Sequence, residues 1–341
     1  MTAEPLVRLD RLEMVYEGAP QLLSFLTGRT IRPVTAVDGV SLSLGAGETL
    51  AIVGESGSGK TTTGRILTLQ ERPTSGAVLF EGRDVTGLSG LALKRYRRDV
   101  QMIFQNPYEA MDPRMTVGES IAEPLQLHGI GTAADRRARV LDLLAAVELK
   151  PAAAYFDRHP AELSGGQLQR VAIARALILE PRVVVADEPV SMLDVSVRSG
   201  VMNLMLALQR RMGISYMYIT HDLAVARYMS DRIAVMYLGA LVEEGPAEKL
   251  IQGAGHPYTR LLISAVPDHR AGTRRRRVAL KGDALSEGRI PPGCRFHTRC
   301  PMAQDICRRV PPPATELAIG HTASCHFAAE VARNGLAEPV H

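Results

Sequence analysis

The sequence predicts an α/β protein in which buried parallel strands carry a phosphate-binding loop, and three observations support this fold class. The apolar run Thr49–Val53 is typical of a buried parallel strand, and a glycine-rich stretch at 54–61 follows it directly. A second apolar run, Val183–Asp187, ends in a carboxylate. Alternation of apolar and polar residues over Val37–Leu44, and a glycine-bounded run at 76–82, predict antiparallel strands beside the loop.

Length and composition indicate one large domain with an appendage. The chain has 341 residues, of which 46% are apolar and 22% charged, as is ordinary for a protein with a folded core. A net charge of +4 does not indicate a nucleic-acid partner, and the four arginines at 274–277 are typical of a solvated linker. No stretch of about 18 residues is free of charge, and the N-terminus lacks the apolar segment of a signal peptide, so we expect a cytosolic protein without a membrane span.

The stretch 54–61 has the spacing G-x-x-x-x-G-K-[ST] of a phosphate-binding loop. Its glycines let the backbone curve around phosphates with N–H groups pointing inward, and the N-terminus of the following helix adds partial positive charge. Lys60 can reach the β- and γ-phosphates, and the Thr61 hydroxyl can hold Mg²⁺. We therefore expect a nucleoside triphosphate to be bound by Gly54, Ser56, Gly57, Gly59, Lys60, Thr61 and Thr62.

Two acidic residues follow the apolar run that begins at Val183. Asp187, at the end of the predicted strand, is placed to hold Mg²⁺ through its coordination shell. Glu188, one position further on, is placed to act as the base that orients and polarises an attacking water. The sequence therefore predicts hydrolysis of the bound nucleotide.

A third motif, Leu163–Gln167, reads L-S-G-G-Q and opens a helical run that Pro181 ends. Ser164 can cap this helix, and Gly165 and Gly166 leave its first N–H groups open to an anion. With the phosphate loop, this motif resembles the signature of the ATP-binding subunits of ABC transporters. The resemblance covers nearly the whole chain. It implies a P-loop NTPase (RecA-like) core with an antiparallel β-subdomain, a helical signature subdomain and a small C-terminal extension that contains cysteines.

The resemblance also implies roles for residues outside these motifs. Gln105 matches the glutamine that senses Mg²⁺ and the permease, and His221 matches the switch histidine that contacts the γ-phosphate. Asp194 lies in a stretch that resembles the D-loop, with Met192 where alanine is usual. Tyr16 resembles the aromatic residue that stacks on adenine, although an irregular insertion at 18–33 follows it.

The resemblance implies a mechanism as well. In this family two subunits pack head to tail, and each ATP lies between the phosphate loop of one subunit and the signature motif of its partner, which here would be Ser164, Gly165, Gly166 and Gln167. ATP binding then stabilises a closed dimer, and hydrolysis lets it open.

C-terminal motifs narrow the resemblance to the importers of oligopeptides and dipeptides. These motifs are Val235–Gly239, His256–Arg260, Pro291–Phe296 and Arg299–Pro301. The partners implied are a second ATPase subunit (a paralogue or a second copy), two integral membrane permeases and, indirectly, an extracytoplasmic solute-binding protein. The chain would then lie peripherally on the cytoplasmic side of the membrane.

Three alternatives stay open. An importer ATPase of this kind can serve nickel or another small solute, and the sequence does not identify the cargo. A soluble ABC ATPase is a second possibility, but such proteins usually carry two cassettes or a coiled-coil insertion. A kinase built on the same loop is a third, but it would not need the signature motif.

The domain prediction has two parts. Residues 1–255 are expected to form the ATP-binding domain, with a helical subdomain at about 108–180, and residues 256–341 the C-terminal extension. All four cysteines of the chain, Cys294, Cys300, Cys307 and Cys325, fall within this extension.

The extension is predicted to need a covalent or metal staple, because its prolines and short loops offer little core. In a cytosolic protein a metal is a more plausible staple than a disulfide. Four thiolates can hold a tetrahedral Zn²⁺ or a cubane cluster, and three nearby histidines (His297, His321 and His326) could substitute in a zinc site. Similar cysteine sets in peptide-importer ATPases hold a [4Fe–4S] cluster, and this resemblance favours iron–sulfur with a structural role.

Overall fold

The computed structural model describes residues 4–17, 33–265 and 290–336. The predicted insertion, apart from Pro33, and the arginine run at 274–277 lie outside these residues. Among the helices that the structure describes, none has the length and apolar character needed to cross a membrane.

The strands and helices alternate along most of the chain. The strands are β1 (Val7–Tyr16), β2 (Val34–Leu44), β3 (Thr49–Val53), β4 (Ser75–Phe80), β5 (Arg83–Asp84), β6 (Val100–Ile103), β7 (Val183–Asp187), β8 (Ser215–Thr220), β9 (Arg232–Tyr237), β10 (Ala240–Pro246), β11 (Ala314–Ala318) and β12 (His321–Ser324). The α-helices are α1 (Lys60–Leu67), α2 (Gly90–Asp99), α3 (Val117–Leu127), α4 (Ala133–Ala146), α5 (Ala152–Phe156), α6 (Gly165–Leu177), α7 (Val195–Met212), α8 (Leu223–Met229), α9 (Ala247–Gly253), α10 (Pro257–Ala265), α11 (Asp305–Arg309) and α12 (Ala328–Asn334).

The larger sheet has the strand order β11-β12-β10-β9-β3-β8-β7-β6. Its strands β9, β3, β8, β7 and β6 are parallel. Every residue of β3 and β7 is buried, as their continuous apolar runs predicted, and so is every residue of β8. Because the carboxyl ends of these parallel strands meet at one edge, the loops that follow them converge there.

The smaller sheet is antiparallel, with the order β2-β1-β4-β5. Its inward side chains, among them Leu9, Val40 and Val78, share one apolar core with Ile52 and Ile66 of the phosphate-loop region. The predicted antiparallel strands beside the loop are therefore confirmed. The core that they share with Ile52 and Ile66 supports the elements on both sides of the phosphate loop.

Helices α3 to α6 form the region between β6 and β7. Their buried side chains, such as Ile121, Leu144 and Val171, make an apolar core of their own that reaches β7 and β8. Helices α3, α4 and α6 each begin with a capping box, at Thr116, Thr132 and Ser164. Each box satisfies backbone N–H groups that the first helical turn leaves unpaired.

The C-terminal extension differs from the expectation of loops without a core. Strands β11 and β12 form a hairpin that pairs with β10 and so extends the main sheet, with Glu243 of β10 opposite Ala323 of β12. Phe296, Cys294 and Cys307 join the core that also buries Ile233 and Val235 of β9. The extension thus packs against the core of the ATP-binding part and does not need to build a separate one.

Candidate functional site

The loop at 54–61 joins the carboxyl end of β3 to the start of α1. Gly59 precedes the helix with a φ of +97°, a left-handed conformation that favours glycine, and a Cβ there would lie 2.2 Å from the carbonyl oxygen of Ala36. Lys60 is buried, and its Nζ donates to the carbonyl oxygens of Gly54 and Glu55, at 2.8 Å each. Burial lowers the pKa of Lys60, and the nearby carboxylates of Glu188, Asp187 and Glu55 oppose that effect. The loop therefore folds around the position of its own lysine ammonium.

Thr61 and Asp187 lie together beneath the loop, as a Mg²⁺ site requires. The hydroxyl of Thr61 donates to Oδ1 of Asp187 at 3.2 Å, and Asp187 is only 4% exposed. Burial raises the pKa of Asp187, and the bond from Thr61 acts against that rise. A hydroxyl and a carboxylate are the hard oxygen ligands that Mg²⁺ prefers, so these two residues can hold it.

Glu188 connects two of the predicted sensor residues. Its Oε1 lies 3.0 Å from Nδ1 of His221, and its Oε2 accepts from Nε2 of Gln105 at 3.2 Å. Its backbone has a φ of +45°, uncommon for a residue with a side chain. Such strained positions cluster at functional sites, where the surrounding structure holds them in place.

One open cavity of about 690 Å³ lies against Lys60, Thr61 and Glu188, whereas Gly54, Asp187 and His221 do not line it. The predicted site residues that line it are Tyr16, Ser56, Gly57, Gly59, Lys60, Thr61, Thr62, Gln105 and Glu188. Six further residues that were not predicted from the sequence also line it: Pro33, Val34, Thr35, Ala36, Leu238 and Ile290. Of these, Leu238 lies in Val235–Gly239, one of the motifs that carry the family resemblance.

Tyr16 contributes a half-buried aromatic face to the cavity. It is 39% exposed, and its hydroxyl donates to the carboxylate of Glu71. Burial and the neighbouring Glu71 raise its pKa, so the phenol stays protonated. An exposed aromatic ring at the rim of such a cavity can stack on a purine base.

The signature residues lie elsewhere. Ser164 caps α6 and is exposed together with Gly165, while Gly166 and Gln167 are partly buried, and none of the four lines the cavity. Asp194 is exposed at the N-cap of α7, where its carbonyl oxygen accepts from the N–H groups of Val197 and Arg198. The phosphate loop and the signature motif therefore do not form a single site within the chain.

The four cysteines line one small enclosed cavity in the C-terminal extension. His256, His297 and His326 line it too, whereas Nε2 of His321 lies 2.8 Å from the buried Glu243. All four cysteines are free thiols, and burial raises the pKa of Cys300 to about 12 and that of Cys325 to about 11. Within the described ranges, no set of three or more Cys, His, Asp or Glu side chains has an arrangement ready to bind a metal.

The fold, the loop and the paired acidic residues are those of a P-loop NTPase. Two family models match the chain. The model described as "ABC transporter" matches residues 37–191, and "Oligopeptide/dipeptide transporter, C-terminal region" matches residues 242–307.

Similar proteins cover most of the chain. The oligopeptide transport ATP-binding protein AppF of Bacillus subtilis (strain 168) is 46% identical over 307 residues, 89% of this chain and 93% of the relative. The dipeptide transport ATP-binding protein DppF of Escherichia coli (strain K12) is 46% identical over 281 residues, 82% of this chain and 84% of the relative. The ATP-binding cassette MJ0796, solved as a dimer in a post-hydrolysis state with ADP and Pi, is 31% identical with a TM-score of 0.62, covering 71% of this chain and 98% of that one.

The chain therefore belongs to the family of ABC transporter ATP-binding proteins. Its fold is that of an ABC cassette, and its enzyme class is ABC-type ATPase.

Proposed function

We propose that this chain is the ATP-hydrolysing subunit of an ABC importer that takes up di- or oligopeptides across the cytoplasmic membrane. The peptide cargo is supported by the match to the oligopeptide/dipeptide transporter C-terminal region and by the names of the relatives. The chain would act on the cytoplasmic face, with a second ATPase subunit, two permeases and, outside the membrane, a solute-binding protein.

One observation carries this proposal. The phosphate loop and the signature motif, which together would form an ATP site, lie at separate places on the chain. The cavity beside Lys60 contains the loop and the base but not the signature residues, which are presented on the surface at Ser164 and Gly165. A head-to-tail pair of such chains would bring each cavity against its partner's signature helix. The N-terminus of that helix would then supply N–H groups and partial positive charge to the γ-phosphate.

The residues in and beside the cavity suit distinct steps of hydrolysis. Lys60 would neutralise the β- and γ-phosphates, and Thr61, Asp187 and Gln105 would hold Mg²⁺, which would offset the charge of the phosphates. Glu188 accepts the proton of the attacking water. His221, which pairs with Glu188, would contact the γ-phosphate and so respond to its loss.

Uptake assays test the proposal. A strain lacking this chain is supplied with the wild-type chain or with Lys60→Ala, and uptake of labelled dipeptide, labelled tetrapeptide and radioactive nickel is measured. We expect peptide uptake with wild type only, and nickel uptake the same in both. If Lys60→Ala lowers nickel uptake and leaves peptide uptake unchanged, the importer would be assigned to nickel. No defect in any uptake, with no copurifying permease, would indicate a soluble ABC ATPase.

We also propose that Cys294, Cys300, Cys307 and Cys325 hold a metal group, and that a [4Fe–4S] cluster is favoured over Zn²⁺. Support comes from the convergence of four free thiols on one enclosed cavity, with the backbone N–H of Cys294 donating to the carbonyl oxygen of Cys307 at 2.8 Å. Four thiolates are the donor set of both groups. A bound cation would stabilise the thiolate form, against the effect of burial on their pKa values.

Anaerobic purification distinguishes the two metals. We expect brown protein that absorbs at about 400 nm and contains about four irons per chain. The Cys300→Ser variant should lose this colour. Met302→Leu changes a side chain that lines the same cavity without removing a thiol, and it should keep the colour. Colourless protein with one zinc would favour the alternative, and metal-free protein with four titratable thiols would refute the site.

A further inference from the structure

The loop between Cys294 and Cys300 contacts the nucleotide-binding part of the chain at three points. The guanidinium of Arg295 donates to the carboxylate of Asp38 and to the carbonyl oxygen of Leu238, a residue that lines the nucleotide cavity. Phe296 is 1% exposed, and its ring lies 5.2 Å from that of Tyr237. The third contact is made by Arg299, with the phosphate loop itself.

Arg299 forms a bidentate ion pair with Glu55, the second residue of the phosphate loop. Its Nη1 lies 2.8 Å from Oε2 and its Nη2 3.1 Å from Oε1, and Nη1 also donates to the hydroxyl of Tyr237 at 3.2 Å. The arginine side chain is 8% exposed and the glutamate 27%. Two parallel bonds from a buried guanidinium fix a carboxylate in both position and orientation.

The backbone of Glu55 is held as well. Its N–H donates to the hydroxyl of Tyr258 at 2.9 Å, and its carbonyl oxygen accepts from Nζ of Lys60 at 2.8 Å. Arg299 and Lys60 therefore both bond to Glu55, Arg299 through the carboxylate and Lys60 through the carbonyl oxygen. A displacement of Glu55 changes the position from which Lys60 reaches the phosphates.

The Arg299–Glu55 ion pair has a second effect, because the charge of Glu55 acts on the bound triphosphate. A glutamate next to the site of a triphosphate adds negative charge where the ligand is already negative, and this repels the ligand. Arg299 compensates that charge through its two bonds to the Glu55 carboxylate. Burial by itself would lower the pKa of Arg299, but its bonds to Glu55 and Tyr237 raise the pKa overall, so the guanidinium stays charged.

We propose that Arg299 is a positioning residue for ATP, which acts through Glu55 so that the C-terminal extension sets the affinity of the phosphate loop. This inference rests on the proposed nucleotide site at Lys60. It gives the extension a part in the ATPase cycle, in addition to its structural one. By thermodynamic reciprocity, ATP bound at the loop must also stabilise the 294–300 loop.

A double-mutant cycle on the full-length chain tests the coupling. Affinity is measured with a fluorescent ATP analogue and Mg²⁺, and kcat with ATP. We expect Arg299→Gln to weaken binding about five- to twentyfold while kcat at saturating ATP stays within about twofold. In the background of Glu55→Gln, the same substitution should change affinity by less than about twofold, because the carboxylate that it holds is gone.

Two control variants distinguish a failure of the proposed nucleotide site from a failure of the role proposed for Arg299. Arg227→Gln breaks another bidentate pair, with Glu248, on the surface between α8 and α9, and it should leave affinity unchanged. Lys60→Ala should abolish binding, and if it does not, the proposed nucleotide site is wrong. If Lys60→Ala abolishes binding but Arg299→Gln has the same effect with and without the Glu55 carboxylate, only the present inference is overturned.

Hydrogen exchange provides a test that needs no change to the extension. In the wild-type chain, saturating ATP with Mg²⁺ should slow exchange of the amides at 294–300, and in Lys60→Ala it should not. Exchange at 294–300 that ATP leaves unchanged in the wild type would overturn the coupling, whatever the folding of Arg299→Gln.

Discussion

Glu188→Gln is the substitution that best separates chemistry from binding in this chain. Glu188 contacts His221 through one oxygen and Gln105 through the other, at 3.0 and 3.2 Å. The amide that replaces the carboxylate keeps its shape: its oxygen can accept from Gln105, and its nitrogen can donate to Nδ1 of His221. The backbone N–H, which donates to the carbonyl oxygen of Ile219 at 2.9 Å, is unaffected.

The expected loss follows from what the amide cannot do. It cannot accept a proton from water, and general-base catalysis is worth about 10²–10⁴ in rate. This corresponds to about 3–5 kcal/mol of the activation free energy. Binding of ATP should not weaken, because the substitution removes a negative charge that faces the phosphates and leaves Lys60 and Thr61 in place.

Single-turnover hydrolysis and size-exclusion chromatography measure the two effects. With Mg-ATP, Glu188→Gln should bind nucleotide with an affinity within about threefold of wild type and hydrolyse it at least about a hundredfold more slowly. ATP should then remain bound, and the dimer with the cognate partner should persist through the column. His221→Ala is the matched control, because it removes the histidine that pairs with Glu188 and retains Glu188 itself as the base.

Two results would contradict the roles assigned to Glu188 and to the dimer. Hydrolysis by Glu188→Gln at the wild-type rate would mean that another group accepts the proton. Slow hydrolysis without any larger species, with partner and permeases present, would retain Glu188 as the base but reject the head-to-tail closure.

Two further predictions concern residues outside the cavity. Ser164→Arg should block hydrolysis at the partner's ATP while leaving nucleotide binding at this chain's Lys60 within about twofold. Thr132→Arg removes an equivalent helix cap from α4 and should leave both hydrolysis and binding unchanged. Equal loss of binding at both ATP sites would contradict the assignment. Burial lowers the pKa of His256 to about 4. Between about pH 6.5 and 4, the unfolded chain therefore takes up a proton at this histidine that the folded chain does not. The free energy of unfolding should fall by about 3 kcal/mol as the pH drops through that window. Urea unfolding across this window should show a shallower loss in His256→Asn, and parallel curves for the two proteins would contradict the prediction.

Much of the candidate site could be predicted because it lies on short contiguous segments. The loop at 54–61, the two carboxylates at the end of β7 and the signature at Leu163–Gln167 each have a local pattern, and a buried strand or a capped helix explains each one. The structure places Thr61 beside Asp187, although 126 positions separate them. That proximity follows from parallel strands whose carboxyl ends meet at one edge.

The remainder depended on contacts that no local pattern records. Glu55 and Arg299 are 244 positions apart, and each alone is typical of a solvated surface residue. The hairpin of β11 and β12 did carry a local signal, since only Ile319 and Gly320 separate the two strands, and Gly320 adopts a φ of +72° that favours glycine. Its pairing with β10 could not be predicted, because register between distant strands is set by tertiary packing.

The position of β3 explains why the phosphate loop can respond to two parts of the chain. This strand pairs in parallel with β8 on one side and with β9 on the other. The chain leaves β8 directly into His221, which pairs with Glu188 at the end of the neighbouring β7. Strand β9 ends at Tyr237, whose hydroxyl accepts from Arg299.

His221 and the C-terminal extension are therefore both connected to the phosphate loop through strands that flank β3 in one sheet. The link from the extension consists of two hydrogen bonds from Arg299 to the Glu55 carboxylate, of 2.8 and 3.1 Å, and one of 2.8 Å from Lys60 to the Glu55 carbonyl oxygen. Because closely packed protein interiors have low compressibility and transmit strain, a displacement of Arg299 is expected to move Glu55 as well. Glu55 is thus the residue at which a change in the extension is converted into a change at Lys60, and the affinity for ATP is the quantity in which that conversion can be measured.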